Sequence, residues 1–317
     1  MSISARESLA SLTTEQQNRV SQALDTKSAL EIATIINGED AKVAGAVSKA
    51  LPQIALAIDA VAEALKRGGR LIYVGTGTSG RVAALDATEC PPTFSTDPKQ
   101  VRFVIAGGEK ALGRAVEADE DSAELGQCDL AKLRPSKRDV VIGIAASGRT
   151  PYTIAAVEYA RNKGARTVAV SCNPDAALTR AADIAITAEV GPEVLSGSTR
   201  MKAGTAQKMI LNMITTGAMT RLGYVYGNLM VNVSLKNTKL FERAITILST
   251  AAGVDREQAS EALTQSGRSV PIALIMLKTG ISRTEARRRL RAASGNVRRA
   301  IQSSGSASSS GTRASAE

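Results

Sequence analysis

The segment that decides the fold class of this 317-residue chain is Leu71-Ile72-Tyr73-Val74-Gly75-Thr76-Gly77-Thr78-Ser79-Gly80-Arg81. The apolar run Leu71–Val74 predicts a buried strand, and the glycine-rich loop after it leads into a helical pattern. Backbone N–H groups at such a strand-to-helix junction favour an anion, and hydroxyl side chains add further donors. We therefore predict a parallel-sheet protein with a phosphate-binding loop at Thr78, Ser79 and Gly80.

Further apolar runs repeat this pattern of a short strand followed by a helix. They are Val101–Ile105, Val140–Ile144, Thr167–Ser171 and Ile184–Thr187. Strands that alternate with helices predict an α/β fold with a doubly wound, five-stranded, mostly parallel sheet. Ligands bind beyond the carboxyl ends of such strands, so the loops that follow them are the candidate site. We expect the long apolar helix from Met201 to Leu222 to serve as core or as a subunit interface.

The composition predicts four segments along the chain. They are residues 1–66, helices that pack on the sheet; 67–253, the sheet domain; 254–302, a small C-terminal helical bundle; and 303–317, a disordered Ser/Gly/Ala-rich tail. In the first segment, Asp25 or Thr26 is expected to cap a helix that ends near Gly38. In the bundle we predict helices at Arg256–Ser266, Ser269–Thr279 and Arg283–Ala293.

The residue types exclude several kinds of chemistry. The chain has no histidine, and its cysteines, Cys90, Cys128 and Cys172, lack a CxxC spacing. This excludes Ser-His-Asp and Cys-His catalysis and argues against a disulfide framework or a zinc site. Acid–base chemistry must therefore come from carboxylates, Lys, Tyr or Cys. Without a long apolar run or a signal-peptide pattern, we expect a cytoplasmic protein that has no membrane partner.

The basic charge is concentrated near the C-terminus. The chain has a net charge of +10, and residues 254–317 hold 11 Lys/Arg against 5 Asp/Glu. That region has no aromatic residue to interleave with the basic ones, as nucleic-acid binding usually requires. We therefore expect a solvated basic helix and no nucleic-acid partner.

Two hydroxyl-rich loops indicate the ligand class. Gly75, Gly77 and Gly80 spell GxGxxG, but the acid that would hold a ribose after the second strand is missing, which disfavours a dinucleotide. The loop also lacks the lysine of a nucleotide-binding P-loop. A second loop, Ala145–Pro151, contributes Ser147, Gly148 and Thr150. Together the loops favour a phosphosugar, although a Ser-capped helix remains an alternative for the first.

The sequence context does not single out which acidic residues are catalytic. Glu89 precedes Cys90-Pro91-Pro92, and we expect it at the end of the helix that the first loop begins. The helix dipole, helped by burial, would there raise its pKa towards that of a general acid. A merely exposed helix-end glutamate is the alternative. The acidic run Glu117, Asp119, Glu120, Asp121 and Glu124 is typical of a solvated helix face.

Three longer motifs give the chain a family resemblance. They are Gly191-Pro192-Glu193-Val194-Leu195-Ser196-Gly197-Ser198-Thr199-Arg200-Met201-Lys202-Ala203-Gly204-Thr205-Ala206-Gln207-Lys208, Leu85-Asp86-Ala87-Thr88-Glu89-Cys90-Pro91-Pro92-Thr93-Phe94, and Gly143-Ile144-Ala145-Ala146-Ser147-Gly148-Arg149-Thr150-Pro151-Tyr152. In these motifs the chain resembles the N-acetylmuramic acid 6-phosphate etherases. They are sugar isomerase domain lyases of cell-wall recycling, related to glucokinase regulatory protein. The resemblance extends from about Leu12 to Ile301.

The resemblance implies a reaction and its residues. A lyase of this family removes the C2 proton of an open-chain phosphosugar, expels D-lactate from C3 and adds water there. It implies Glu89 as the acid and Glu120 as the base, although Asp119 departs from the family pattern beside that base. The implied substrate-binding residues are Thr78, Ser79, Gly80, Ser147, Gly148, Thr150, Ser198 and Lys202. The candidates to hold the lactyl carboxylate are Arg81, Arg149, Arg200 and Lys202.

The resemblance also bears on partners. It implies a phosphosugar ligand, a homodimer and no metal, flavin or nicotinamide cofactor. The C-terminal bundle is similar to ubiquitin-associated-like modules, with an expected packing role. Three alternatives stay open: an aldose–ketose phosphosugar isomerase, a non-enzymatic phosphosugar sensor, and a sugar-responsive DNA-binding regulator. The last of these would place a helix-turn-helix before the sugar domain, whereas here the basic bundle follows that domain.

Overall fold

The protein is described here by a computed structural model that covers residues 12–116, 119–235 and 238–303. These residues form two compact units. The first takes residues from 12–89 and 97–218, and the second takes residues from 90–96 and 219–303. The candidate site lies in the first unit.

The first unit is built on a five-stranded sheet. The strands are β1 (Leu71–Gly75), β2 (Val101–Ile105), β3 (Val140–Ile144), β4 (Arg166–Ser171) and β5 (Ile184–Thr187). All neighbours pair in parallel, in the order β2-β1-β3-β4-β5. The predicted fold class is confirmed, and each predicted strand matches the observed one within one residue. Every residue of β1 and β3 is buried, as expected for inner strands of a sheet covered on both faces.

Helices cover both faces of this sheet. Up to Leu222 they are α1 (Ala29–Asp40), α2 (Val43–Ser48), α3 (Leu51–Lys66), α4 (Gly77–Phe94), α5 (Lys110–Gly113), α6 (Ala123–Lys132), α7 (Pro151–Asn162), α8 (Ala177–Ala181) and α9 (Lys202–Leu222). Ile72 and Val74 share a buried cluster with residues of α6 and α7. Tyr73 lies on the opposite face, since side chains alternate along a strand, and its hydroxyl donates to Asp86 of α4 at 2.7 Å.

Three short 3₁₀ turns precede α1 and change the predicted start of that helix. The turns are Thr13–Glu15, Arg19–Ser21 and Leu24–Thr26. Ser28, rather than Asp25 or Thr26, caps α1, because its hydroxyl accepts the Glu31 N–H while the Glu31 carboxylate accepts the Ser28 N–H. The helix also continues past Gly38 to Asp40.

The helix α4 runs through the Pro-Pro pair at which the sequence predicted its end. Pro91 and Pro92 lie inside the helix, which ends at Phe94. Their missing N–H groups leave two helical hydrogen bonds unmade, but the Ser95 N–H still donates to the Pro91 carbonyl at 2.9 Å. Glu89 therefore lies more than one turn before the helix end, so the expected effect of the C-terminal dipole on it is largely lost.

The second unit is a bundle larger than the predicted one. Its helices are α10 (Thr238–Ala252), α11 (Arg256–Gln265), α12 (Val270–Thr279), α13 (Arg283–Ala292) and α14 (Val297–Gln302). Buried residues of α10, among them Ile245 and Leu248, share one core with Leu263 and Leu274. Gly253 thus lies in the turn between two packed helices. The unit begins well before the predicted boundary at Val254. The predicted tail, beyond Ser303, lies outside the described residues.

Within residues 12–116, 119–235 and 238–303, no single helix is long and apolar enough to cross a bilayer. Ala29–Ser48 and Leu51–Lys66 meet that length and composition test only as a pair, across a bend of 64°.

Two truncations test the bundle. Ending the chain at Ser303 should leave the melting temperature and activity unchanged, since the removed tail is too polar to form a core. Ending it at Gly253 should lower the melting temperature clearly or give insoluble protein. It strips α11 to α14 from the buried face of α10, and burial of each large apolar side chain is worth about 1.5–3 kcal/mol. Calorimetry of both truncated proteins and of the full chain measures these melting temperatures. If the chain that ends at Gly253 were as stable as the full chain, the shared core would be refuted.

Candidate active site

The strand order creates a crevice between β1 and β3. The chain crosses from β1 to β2 on one side and returns to β3 on the other, which is the point where doubly wound sheets bind ligands. Gly75 at the end of β1 pairs with Ile144 at the end of β3. Both hydroxyl-rich loops predicted from the sequence therefore leave neighbouring strands at the same edge.

The β1 loop is tightly packed around its glycines. Gly77 has a φ of +48°, and a side chain at Gly80 would lie 2.5 Å from Ile105 of β2. This close approach requires glycine at position 80 and brings the first turn of α4 against the sheet. Ser79 is 8% exposed and Thr78 is half-buried, so the loop presents hydroxyls and backbone N–H groups at the helix start.

The β3 loop packs against the loop that follows β4. Gly148 has a φ of +67°, and a Cβ atom there would lie 2.4 Å from the Cβ of Ala176. Ser147 is half-buried, and its hydroxyl accepts the Arg149 N–H at 3.3 Å. Thr150 precedes α7 as its N-cap residue but makes no side-chain capping bond. Its hydroxyl is therefore not committed to the helix.

Asp119, Glu120 and Asp121 of the acidic run form a turn, whereas Glu124 is exposed on the first turn of α6 as a helix face would predict. The turn brings Glu120 to the β1 loop and to the start of α7. Glu120 Oε1 lies 3.1 Å from the position that a Cβ atom would take on Gly77. The Glu120 carbonyl accepts the Tyr152 N–H, in the first turn of α7, at 3.2 Å. Asp119 and Glu120 are half-buried in this turn, and Glu117 lies outside the described residues. Of the two candidate glutamates, Glu120 is the one at the β1 loop.

Glu89 lies far from that loop within one chain. Twelve residues of α4 separate it from Gly77, which at 1.5 Å per residue is about 18 Å along the helix. Its side chain is exposed. The structure thus does not bring Glu89 and Glu120 together within a single chain, and it does not supply the burial that the sequence argument required.

The start of α9 completes the edge of the site. The Glu193 carboxylate is fully buried and accepts the N–H groups of Lys202 and Ala203 at 3.0 and 2.9 Å. Burial raises the pKa of Glu193, and these two bonds oppose the rise. A Cβ atom on Gly204 would lie 3.4 Å from the Thr78 side chain, so the first turn of α9 contacts the β1 loop. Ser198 is half-buried in the turn just before this helix.

Lys202 is not available as the predicted substrate-binding residue. It is 2% exposed, and its ammonium donates to Glu39 Oε2 at 2.7 Å. Glu39 also accepts from Lys42 at 2.5 Å and from the Asn18 amide at 2.9 Å. Burial alone would raise the pKa of Glu39, but the bonds from these three donors lower it to about 2. Sequence reasoning missed Glu39, since nothing local relates it to a lysine 163 residues away.

The other candidates for the lactyl carboxylate differ in their surroundings. Arg81 donates to the carbonyls of Ala111 and Arg114 at 2.9 and 2.7 Å, so its guanidinium is committed to the loop after β2. Arg149 is half-buried in the β3 loop, and Arg200 is exposed in the turn before α9. Arg149 and Arg200 therefore remain the better placed candidates.

A second buried carboxylate, which sequence reasoning also missed, joins three elements behind the site. Asp86 of α4 is 4% exposed and accepts from Tyr73 of β1 and from Asn212 and Thr215 of α9. Burial raises its pKa, and the hydrogen bonds oppose that rise. This network fixes α4 against α9, the two helices whose first turns meet at Thr78 and Gly204. Within the described residues, no group of three Cys, Asp or Glu side chains could hold a metal ion.

Family models match successive parts of the chain. They are the N-terminal SIS domain of glucokinase regulatory protein over residues 53–161, the SIS domain over 127–217, and the C-terminal lid domain of glucokinase regulatory protein over 227–269. Together with the sheet order and the two loops, they make the chain a sugar isomerase (SIS) domain protein.

The sequence relatives narrow this class. The chain is 55% identical to the N-acetylmuramic acid 6-phosphate etherase of Edwardsiella ictaluri (strain 93-146), over 92% of this chain and 98% of the relative. It is 52% identical to that of Klebsiella aerogenes, with the same coverage. A phosphoheptose isomerase structure from Francisella tularensis matches with a TM-score of 0.47 and 18% identity, over 61% of this chain and 100% of that one. The chain belongs to the N-acetylmuramic acid 6-phosphate etherase family.

The buried Glu39–Lys202 pair yields a stability prediction. Glu39→Gln should cost about 3–5 kcal/mol of unfolding free energy at pH 7, because it leaves the Lys202 ammonium buried without its counter-charge. Since the folded pKa of Glu39 lies below its ordinary value of 4.5, the pair's contribution is complete above that pH. It is lost as the pH falls towards 2.

Denaturant unfolding of both proteins at several pH values checks this prediction. The matched control is Glu63→Gln, which removes an exposed pairing with Arg67 and should cost at most about 1 kcal/mol. Equal losses in the two variants, or a difference that grows on acidification, would contradict the assignment.

Proposed function

We propose that this protein cleaves the lactyl ether of N-acetylmuramic acid 6-phosphate, giving N-acetylglucosamine 6-phosphate and D-lactate with the uptake of one water. The observation that carries the proposal is identity of 50–55% to etherases over 92% of the chain. The site agrees with it, because Glu120 lies against a phosphate-type loop at the switch point of the sheet.

The reaction needs only proton transfers. In the open-chain sugar the C1 aldehyde acidifies the C2 proton, and the ether oxygen at C3 lies β to that carbonyl. A base removes the C2 proton, the C3–O bond breaks with its electron pair going to oxygen, and an acid protonates the departing lactate. Water then adds at C3, and a proton returns to C2. Carboxylates suffice for every one of these transfers.

The two glutamates take different roles in this scheme. Glu120 is the base, since it lies beside Gly77 at the loop that would anchor the phosphate. Glu89 is the acid that protonates the leaving lactate. An unperturbed glutamate titrates near pH 4.3, so an acid that is protonated at neutral pH must be held in an apolar environment.

The phosphate is anchored by the β1 and β3 loops. Ser79 and Ser147 supply hydroxyl donors, Thr78 and Thr150 lie in the same two loops, and Ser198 is half-buried just before α9. Gly80 and Gly148 let these loops pack tightly against Ile105 and Ala176. A dianion at the first turn of α4 gains from the helix N–H groups. A charged sugar phosphate does not cross a bilayer unaided, so we place the reaction in the cytoplasm.

The rival activity is aldose–ketose isomerisation of a phosphosugar. It also begins at the C2 proton, but it needs no acid at C3 and releases no lactate. A non-enzymatic sensor would bind the sugar and leave it unchanged. Lactate release from the purified protein therefore separates all three, and an absence of lactate with the intact substrate would refute the etherase.

Deuterium exchange at C2 of the substrate distinguishes the roles of the two glutamates. In D₂O, Glu89→Gln should still exchange deuterium into C2 of the substrate but release lactate about 10²–10⁴ times more slowly, because the base is intact and the acid is absent. Glu120→Gln should show neither exchange nor lactate. Proton NMR follows both events in one sample, with circular dichroism to confirm folding. Exchange lost in Glu89→Gln but kept in Glu120→Gln would reverse the roles.

We also propose that the protein is a homodimer. The sequence suggested α9 as an interface element, but most of its apolar residues, including Ile210, Leu211 and Ile214, are buried within the chain. Its residues Met209, Met213 and Leu222 are half-buried. By contrast, no apolar residue of α1, a fully described helix, is buried, and Leu30 is 79% exposed. An apolar helix left exposed in this way favours a protein interface.

A charge on α1 tests the dimer. Leu30→Glu should shift the protein from dimer to monomer in light scattering after gel filtration, because it places a charge in an apolar contact. Leu125→Glu is the matched control on α6, where the leucine is 40% exposed, and it should remain a dimer. A monomeric starting protein, or equal behaviour of the two variants, would refute this interface.

A further inference from the structure

The N-terminal segment, residues 13–21, is bound to the loop that leads into α9. The Asn18 amide donates to the Pro192 carbonyl at 3.1 Å. The Ser21 hydroxyl donates to the Val194 carbonyl at 2.7 Å. These bonds join parts of the chain that are far apart in sequence, so they hold the N-terminal segment at the carboxyl edge of the sheet, where the candidate site lies.

Asn173, just after β4, binds the same segment and is 2% exposed. Its Oδ1 accepts the Thr13 N–H at 3.0 Å and the Thr13 hydroxyl at 2.7 Å. Its amide nitrogen donates to the Thr14 hydroxyl at 3.2 Å and to the Ala146 carbonyl at 3.1 Å. An asparagine side chain has two donor and two acceptor positions, and all four are used here. The Thr13 N–H can only donate and the Ala146 carbonyl can only accept, so the amide has a single orientation.

The Ala146 carbonyl controls the peptide unit that begins the β3 loop. It also accepts the Cys172 N–H, at 3.0 Å. In a trans peptide unit the C=O of one residue and the N–H of the next point in opposite directions. Because the Ala146 carbonyl points to the buried Asn173, the Ser147 N–H points away from Asn173. Asn173 therefore sets the direction of a backbone donor in the loop that also carries the Ser147 hydroxyl.

We propose that Asn173 is a positioning residue for the substrate phosphate. It fixes the Ala146–Ser147 peptide so that the N–H and the hydroxyl of Ser147 face the anion. The N-terminal segment, through Thr13 and Thr14, holds the Asn173 amide in the orientation that this requires. Asn173 itself does not touch the sugar. The inference rests on the phosphate anchoring by the β3 loop proposed above.

The effect of Asn173 belongs to binding rather than to the chemical steps. The phosphate does not react, so its contacts are the same in the ground state and in the transition state. Losing such contacts raises KM and leaves kcat nearly unchanged. A residue that only stabilises the fold would instead change the melting temperature and leave both constants of the folded enzyme unaltered.

Asn173→Asp tests the proposal in the full chain. Aspartate has nearly the same size and keeps the acceptors for Thr13, but its carboxylate cannot donate to the Ala146 carbonyl. The Kd for N-acetylglucosamine 6-phosphate, from titration calorimetry, should rise about 5–30-fold. The KM for lactate release should rise by a similar factor, with kcat within about twofold of wild type.

The matched control is Thr167→Val at the opposite, amino end of β4. Thr167 is fully buried, and its hydroxyl donates to Asp183 at 2.9 Å. The substitution removes a buried polar link of the same kind, far from both loops of the site. It should lower the melting temperature and leave the Kd and the KM unchanged.

A milder pair of variants tests the N-terminal segment and decides the question if Asn173→Asp is insoluble. Thr13→Val removes the hydroxyl that donates to Asn173 and should raise the Kd for the sugar phosphate about 2–10-fold. Thr13→Ser keeps that hydroxyl and should bind like the wild type. The difference between the two isolates the hydrogen bond from the change in side-chain size.

The remaining outcomes overturn the proposal or the function beneath it. An unchanged Kd and KM in Asn173→Asp and Thr13→Val, with a lower melting temperature, gives Asn173 a structural role only and overturns the proposal. An equal rise of the Kd in Thr167→Val, or a loss of kcat without a change in KM, overturns it as well. A wild type that binds the sugar phosphate but releases no lactate refutes the proposed function, and the Kd comparison still decides the role of Asn173.

Discussion

The parallel pairing of β1 with β3 is the constraint on which the candidate site depends. Gly75 and Ile144 end these strands side by side, so the loops that follow must share one edge of the sheet. Because β1 continues to β2 on one side while β3 lies on the other, the two loops flank the switch point of the sheet. Glu120 then enters from the turn before α6 and lies at Gly77.

Two buried carboxylates hold the helices that frame this edge. Glu39 receives Lys202 at the first residue of α9, and Asp86 receives hydrogen bonds from β1 and from further along α9. Isolated charges are costly in an interior, so each carboxylate persists because donors surround it. Their effect is to fix where α9 begins and thereby to place Gly204 against Thr78.

The proposed reaction needs a base that stays ionised and an acid that stays protonated, and the two candidate glutamates lie in different surroundings. Glu120 sits half-buried at the loop edge, while Glu89 lies on an exposed face of α4. Of the two glutamates, only Glu120 lies beside the β1 loop.

The sequence alone determined the strands, the two hydroxyl-rich loops and the family. Buried parallel strands are visible in the sequence as continuous apolar runs. The loops are visible because the tight turns after the strands require glycine at particular positions. It could not determine the pairing of Glu39 with Lys202, nor that Glu120 would lie at Gly77, since such contacts join residues distant in the chain. The sequence also predicted that α4 ends at Pro91-Pro92, whereas the helix continues to Phe94. Tertiary packing decided these features, because it can outweigh a local preference of a few kcal/mol and sets which distant groups meet.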